Sequence, residues 1–218
     1  MAPVAIQIDT PHGPARVDLH HAAKPSAALV LGHGAGGGVA APDLTAATEE
    51  ALERDVSVAL VEQPYRVAGR KSSPAAKQLD AAWVAVTTHL GEGDLAGLPL
   101  IAGGRSAGAR VACRTAADSG AVAVLCLAFP LQPPPRKNGK QSDSRQGELD
   151  AVRVPMLVVQ GVKDRFGMPS AAGSQTVVQI PGDHSLRSDS AALRDAVGEW
   201  PVESVSRGSE ASWSPSIS

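Results

Sequence analysis

The apolar residues of the N-terminal part of the chain differ in pattern from those that follow. Segments 4–9 (VAIQID) and 15–20 (ARVDLH) are rich in β-forming residues and are joined through TPHGP. The proline and glycine of that connection suit a hairpin turn. The sequence therefore predicts an N-terminal β-hairpin.

From residue 27 onward, the apolar residues form short continuous runs. Such runs are typical of strands that are buried on both faces of a parallel sheet. They cover residues 27–32, 56–61, 98–103, 122–129, 156–161 and 176–180. Ser/Asp caps and Ala-rich interiors predict helices at about 43–54, 75–90, 107–118 and 189–200. A hairpin followed by alternating β and α elements predicts an α/β fold, a mostly parallel sheet with helices on both faces.

Two segments fall outside this alternation. Residues 132–147 are Pro-rich and polar, which predicts a loop, and the C-terminal residues are Ser-rich with little to bury. A chain of 218 residues is long enough to fold around one core. We expect one domain over residues 1–202 and a disordered tail over residues 203–218.

Composition argues against several classes of partner. The formal net charge is −2 and aromatic residues make up 3% of the chain, so there is no basic or stacking surface for nucleic acid. Cys113 and Cys126 lie in apolar stretches without metal-ligand spacing, as expected of reduced core thiols. The chain begins without a basic, apolar leader and has no run of roughly 20 apolar residues. We expect a soluble cytoplasmic protein that holds no metal and does not bind a membrane.

The stretch LGHGAGGG, residues 31–38, has two possible interpretations. Gly32, Gly34 and Gly37 match the G-x-G-x-x-G fingerprint of dinucleotide sites, with Glu62 at the end of the next apolar run as the ribose-binding acid. Alternatively, a loop after a strand supplies an oxyanion-binding amide. A dinucleotide site needs its third glycine inside the helix, whereas Pro42 marks the helix start beyond the glycines. The second interpretation is therefore favoured.

The stretch GGRSAG contains the pattern G-x-S-x-G, in which Ser106 is flanked by Gly104 and Gly108. It lies between a predicted strand and a predicted helix, the context that a nucleophile elbow requires. Ser106 would then project its hydroxyl above the sheet, next to the Ala107 N–H at the helix N-terminus. With 22 glycines in the chain, an ordinary Gly/Ser turn is the alternative.

A serine nucleophile needs a general base, and the base needs a carboxylate that orients it. Asp164 follows the predicted strand 156–161, and His184 follows the last strand. The order Ser, Asp, His is that of the α/β-hydrolase triad. Asp183 adjoins the histidine and Asp150 precedes its strand, so neither is favoured as the acid. Taken singly, Asp164 could be a loop-capping carboxylate and His184 an exposed loop residue.

The favoured oxyanion donors are the N–H groups of Ala35 and Ala107, with Gly36 as an alternative to Ala35. His33 is expected to hydrogen-bond within its loop and fix the direction of the amides. Whether basic side chains near the predicted site contact substrate is left open. They are Arg66, Arg70, Lys71, Arg105 and Arg145.

The chain resembles the compact α/β-hydrolase-like family that includes testis-expressed protein 30, subunit 3 of the NSL chromatin complex and many bacterial hydrolases of dienelactone-hydrolase size. The resemblance covers about residues 25–200. It rests on LGHGAGGG, PYRVAGRK, GGRSAGARVA, FPLQPPP, VPMLVVQGVKDRFG and GDHSL. It implies a triad of Ser106, Asp164 and His184. Glu148 stands where a histidine is expected, and Arg165 replaces the commoner proline after the acid.

These features together predict a single-domain α/β-hydrolase without a substantial lid. We expect it to cleave an ester, thioester or related acyl bond of a small soluble substrate, and to need no cofactor. A non-catalytic interaction scaffold with the same fold is the main alternative, since a fold does not determine a function. A dinucleotide-binding oxidoreductase is a weaker one.

Overall fold

The structure is a computed structural model that describes residues 2–135, 139 and 141–200. The predicted tail over residues 203–218 lies outside the described residues, as does part of the predicted loop over residues 132–147. Among the described helices, none has both the length and the apolar character needed to cross a membrane.

The strands form a single eight-stranded sheet. They are β1 (Val4–Ile8), β2 (Ala15–His20), β3 (Ala27–Gly32), β4 (Val56–Glu62), β5 (Leu100–Arg105), β6 (Ala123–Leu127), β7 (Met156–Gly161) and β8 (Gln175–Ile180). The helices are α1 (Pro42–Glu53), α2 (Pro64–Val67), α3 (Ala76–Glu92), α4 (Ala107–Thr115), α5 (Gln146–Asp150) and α6 (Ser190–Gly198). All eight predicted strands and four predicted helices are confirmed, although α4 ends at Thr115 rather than at residue 118. The short helices α2 and α5 were not predicted.

The strand order is β1-β2-β4-β3-β5-β6-β7-β8. The hairpin β1-β2 is antiparallel and joins β4 in antiparallel register, whereas the remaining neighbours are parallel. After β3 the chain forms β4 on one side and then crosses to form β5 on the other side. The carboxyl ends of β3 and β5 therefore flank the point where the strand order reverses, the usual ligand-binding crevice of open α/β sheets.

Helices cover both faces of the sheet, as predicted. On one face, α3 and α4 bury a core that includes Trp83, Leu90 and Phe129. On the other face, α1 and α6 bury Leu44 and Leu193. Strands β3 and β6 are buried along their whole length, which explains their continuous apolar runs. Cys113 and Cys126 are buried free thiols on the α3–α4 face, in agreement with their assignment to the core.

Three glycines allow two backbone segments to touch at the carboxyl edge of the sheet. A Cβ at Gly104 would lie 2.6 Å from the carbonyl oxygen of Gly32, and a Cβ at Gly108 would overlap that oxygen. No side chain larger than hydrogen fits between the end of β3 and the turn from β5 into α4. This contact fixes where the loop after β3 begins relative to Ser106.

We predict that Gly108→Ala lowers the free energy of unfolding by more than about 2 kcal/mol, because the new methyl group must push apart two backbone segments. Gly91→Ala is the matched control, since Gly91 is an exposed residue of α3 whose added Cβ would have no neighbour within 4 Å. The control should be as stable as the wild type or more stable by up to about 1 kcal/mol. Urea unfolding of both variants measures the difference, and equal stability of the two would contradict the packing argument.

Candidate active site

Ser106 occupies the sharp turn between β5 and α4. Its backbone has φ 53° and ψ −107°, a conformation that non-glycine residues rarely adopt. Its N–H donates to the Leu127 carbonyl at 2.9 Å, which holds the turn against β6. Helix α4 begins at Ala107, so the N–H groups of its first turn have no partner within the helix. The turn thus places a hydroxyl and an unpaired N–H group side by side.

Asp164 and His184 reach Ser106 from the loops after β7 and β8. The His184 Nε2 lies 2.9 Å from the Ser106 Oγ, and the His184 Nδ1 lies 2.8 Å from the Asp164 Oδ2. The Asp164 side chain is 1% exposed and that of His184 is 18% exposed. A carboxylate oxygen only accepts hydrogen bonds, so Nδ1 carries the proton and Nε2 accepts from the serine hydroxyl. The structure therefore brings the three predicted residues, here termed the triad, into one hydrogen-bonded chain.

The other two acidic residues considered as the acid lie elsewhere. The Asp183 carboxylate is exposed and accepts from the N–H and hydroxyl of Ser185, at 2.8 and 2.6 Å. Hydrogen bonds from Ser185 lower the pKa of Asp183. Asp150 accepts from Gln146 at the end of α5. Of these carboxylates, Asp164 alone is bonded to His184.

Gln160 holds the Asp164 carboxylate from behind, a contact that was not predicted. The fully buried Gln160 amide donates from Nε2 to the Asp164 Oδ2 at 2.8 Å. The same nitrogen lies 3.1 Å from the Phe129 carbonyl and 2.9 Å from the Gly167 carbonyl, which fixes the amide orientation. The Phe166 N–H donates to the other carboxylate oxygen at 2.9 Å. A single polar residue in the apolar run MLVVQG was the signal available in the sequence.

His33 is buried at the start of the glycine-rich loop, with 3% of its surface exposed. Its Nε2 accepts the Gln63 N–H at 3.1 Å, so the proton is on Nδ1, which donates to the Gly34 carbonyl at 2.8 Å. Burial lowers the pKa of His33, which favours the neutral ring. His33 thus binds its own loop, as predicted, rather than the triad.

These contacts orient the peptide between Gly34 and Ala35. The Gly34 carbonyl also accepts the Gly37 N–H at 3.2 Å, and because the peptide is trans, the Ala35 N–H points away from both donors. The Tyr65 hydroxyl donates to the Ala35 carbonyl at 3.2 Å and fixes the next peptide. A Cβ at Gly34 would lie 3.6 Å from the Ser106 Cβ, so this loop adjoins the nucleophile candidate. Among the described residues, no acceptor contacts the N–H of Ala35.

Arg105 connects the elements around the triad. Its Nε donates to the Asp43 Oδ2 at 2.9 Å, and its Nη2 donates to the His184 carbonyl at 3.1 Å. Asp43, at the start of α1, has a side chain only 1% exposed. Burial raises the pKa of this carboxyl, and the Arg105 charge opposes that rise. This role of Asp43 was not predicted.

The sequence left open whether other basic side chains contact substrate, and the structure gives contacts for only some of them. Arg145 donates to the Pro130 carbonyl at 2.8 Å. Arg70 is exposed and lies by a small pocket that also includes His12 and Tyr65 but no triad residue.

Glu62, the acid required by a dinucleotide site, forms an ion pair with Arg16 at 3.3 Å.

We predict that His33 makes stability depend on pH below about 6.5, the ordinary histidine pKa. The unfolded chain takes up a proton there that the buried ring resists, so the free energy of unfolding falls with pH by up to about 1.4 kcal/mol per pH unit. His33→Asn should be less stable than the wild type at pH 7.5 but lose less stability between pH 6.5 and 5. Urea unfolding checks this, and His89→Asn, at an exposed position of α3, should keep the wild-type slope. An equally steep loss in His33→Asn would contradict it.

Comparisons with known proteins agree with this architecture. An α/β serine hydrolase without lid from Xanthomonas campestris has a TM-score of 0.70 at 20% identity, covering 90% of this chain and 92% of that one. Est1E from Butyrivibrio proteoclasticus has a TM-score of 0.73 at 16% identity, covering 92% and 98%. Dienelactone hydrolase from Anabaena variabilis has a TM-score of 0.73 at 17% identity, covering 92% and 97%. At these identities, the likeness concerns the fold.

A search of curated proteins finds no match. The sequence profile of an alpha/beta hydrolase domain matches residues 25–195, which include β3 through most of α6 and all three triad residues. The chain therefore belongs to the alpha/beta hydrolase family.

Proposed function

We propose that this protein is a serine hydrolase that cleaves an ester, thioester or related acyl bond of a small soluble substrate. The main support is the hydrogen bond of 2.9 Å between the Ser106 hydroxyl and the Nε2 of His184, whose other nitrogen is bonded to a buried carboxylate. A serine hydroxyl is a weak nucleophile without such a base. This arrangement gives Ser106 the partner that acyl transfer requires.

In the acylation step, the Ser106 Oγ attacks the carbonyl carbon while its proton passes to the Nε2 of His184. The carbonyl oxygen becomes an oxyanion, which accepts hydrogen bonds from the N–H groups of Ala107 and Ala35. The tetrahedral intermediate then collapses and breaks the bond to the alcohol or thiol. The leaving group takes the proton from Nε2, and the acyl group remains on Ser106.

In the deacylation step, water attacks the acyl carbon and gives a proton to the Nε2 of His184. Collapse of the second intermediate releases the carboxylic acid and returns the proton to the Ser106 Oγ. Asp164 stays ionised throughout and stabilises the imidazolium that forms in each step. Its hydrogen bonds from Gln160 and the Phe166 N–H keep the carboxylate aligned with Nδ1.

The preference for small soluble substrates rests on the connection between β6 and β7. Its described residues contain one helix, the five-residue α5, which is too short to form a packed helical lid. One structural relative is itself described as a serine hydrolase without lid. The short connection favours direct access of small esters from solvent.

Within the alpha/beta hydrolases, we also propose that the chain belongs to the family of testis-expressed protein 30. This proposal rests on the motifs of the sequence and not on the structural relatives. A scaffold without catalysis is the alternative that the following experiment separates from the hydrolase.

We predict selective phosphonylation of Ser106 by fluorophosphonate probes, in which the Oγ–P bond forms and fluoride leaves. Ser106→Ala should abolish the labelling, and His184→Ala should slow it strongly because the base is lost. Ser174→Ala is the matched control, since Ser174 is an exposed serine just before β8, at the amino edge of the sheet. Intact-protein mass spectrometry with a small and a large probe measures the labelling.

The same variants should be tested against acyl esters and thioesters of graded chain length. Labelling that survives Ser106→Ala would contradict the nucleophile assignment. Well-folded protein that neither reacts with the probes nor hydrolyses any ester would favour the scaffold.

We predict that Gln160→Met lowers kcat by about tenfold or more while KM changes little. The reason is that Gln160 positions Asp164 and does not contact substrate, and a hydrogen bond to a charged group contributes about 1.5–3 kcal/mol. Gln179→Met is the control, because Gln179 pairs with Gln160 in the β7–β8 register but is exposed. Kinetics should be measured well below the unfolding temperature of each variant. A rise in KM at constant kcat would contradict the positioning role.

A further inference from the structure

An open cleft adjoins His184. Its volume is about 400 Å³, and its lining residues are Arg105, Lys163, Arg165, Asp183, His184 and Ser185. We term it the basic cleft. A second cleft of about 380 Å³ shares Arg105 and Ser185 with it and extends between the glycine-rich loop and Arg187. Four cationic side chains line the two clefts, Arg105, Lys163, Arg165 and Arg187.

Three of these four cations have no carboxylate in ion-pair distance. Arg105 is paired with Asp43, but in the described part of the chain no carboxylate lies within 4.0 Å of the charged groups of Lys163, Arg165 or Arg187. On the wall of the basic cleft, hydrogen bonds from Ser185 and the Arg187 charge lower the pKa of Asp183, so this carboxylate offsets part of the positive charge. Since the whole chain has a formal net charge of −2, the positive charge here is a local feature.

Arg165 is held close to the proposed base through one aromatic ring. Its guanidinium carbon lies 4.9 Å from the Phe166 ring centroid, within the range of a cation–π contact. The Phe166 ring packs edge-on against His184, with 4.5 Å between the ring centroids. Only the Phe166 side chain would therefore separate an anion bound by Arg165 from the reacting bond at His184.

We propose that the basic cleft binds an anionic group of the substrate, a carboxylate or phosphate, so that the preferred substrates are negatively charged acyl esters or thioesters. This inference rests on the proposed hydrolase function. Lys163 and Arg165 flank Asp164 in the sequence, and both project from the loop at the carboxyl end of β7. Concave walls with an excess of one sign of charge concentrate ligands of the opposite charge.

The test compares esters that differ only in whether the anion is masked by methylation. Monomethyl glutarate and dimethyl glutarate place the charge on the acyl side, whereas 4-acetoxybenzoate and its methyl ester place it on the leaving group. Acetyl phosphate, a mixed anhydride, tests phosphate in place of carboxylate. In at least one pair, kcat/KM should be about tenfold higher for the anion through a lower KM, and added salt should reduce this preference.

Lys163→Gln/Arg165→Gln should remove most of the preference, expressed as the ratio of kcat/KM within a pair. Arg153→Gln is the matched control, because Arg153 is an exposed arginine before β7, at the opposite edge of the sheet. Equal kcat/KM within every pair, or a preference that survives the double substitution, would overturn the anion site and leave the hydrolase proposal intact.

Direct binding separates the two proposals. The Ser106→Ala variant cannot form an acyl-enzyme but keeps the cleft, and it should bind glutarate or inorganic phosphate in a calorimetric titration. This binding should weaken at least fivefold when Lys163→Gln/Arg165→Gln is added. Binding of this kind without hydrolysis of any ester would sustain the anion site and overturn the hydrolase. Hydrolysis of neutral esters without anion binding would do the reverse.

Discussion

The backbone contact between Gly32 and the turn around Ser106 is the constraint on which the site depends. Because no Cβ fits at Gly104 or Gly108, β3 and the turn into α4 approach more closely than side chains would allow. The loop after β3 therefore begins beside Ser106, which places its amides next to the position proposed for the carbonyl oxygen of a bound ester. A wider separation would leave the hydroxyl in place but move the Ala35 N–H, the proposed second oxyanion donor, away from it.

Buried polar groups beneath the site hold its loops and side chains in place. A neutral His33 orients the Gly34–Ala35 peptide, and the Gln160 amide orients the Asp164 carboxylate. Arg105 ties the His184 loop to Asp43 at the start of α1, and its charge offsets that of the buried acid. Each of these groups makes hydrogen bonds that buried partners would otherwise lack, so the site is ordered before any substrate arrives, although the Gln160 Oε1 itself has no partner among the described residues.

The sequence predicted the parts that depend on local pattern. Continuous apolar runs identified the parallel strands, and Ser106, Asp164 and His184 were located because each follows a strand, so that the topology brings them to one edge. Gln160 and Asp43 were missed because their partners are distant in the chain or have no local signature. Gln160 bonds the carbonyl of Phe129, 31 residues away, and Arg105 reaches Asp43 across 62 residues. Helices α2 and α5 span four and five residues, too few for a helical period to emerge.

The net charge of the chain and the charge of the basic cleft act on different kinds of ligand. A net charge of −2 argues against a polyanionic partner, since such a partner contacts a wide surface and responds to the field of the whole chain. A small anion in the proposed site would lie within a few ångströms of Lys163 and Arg165, well inside the Debye length of about 8 Å at physiological salt. At that range, the nearest cations outweigh acids on distant surfaces. A net negative chain is thus compatible with the proposed selection of a substrate that carries a single negative charge.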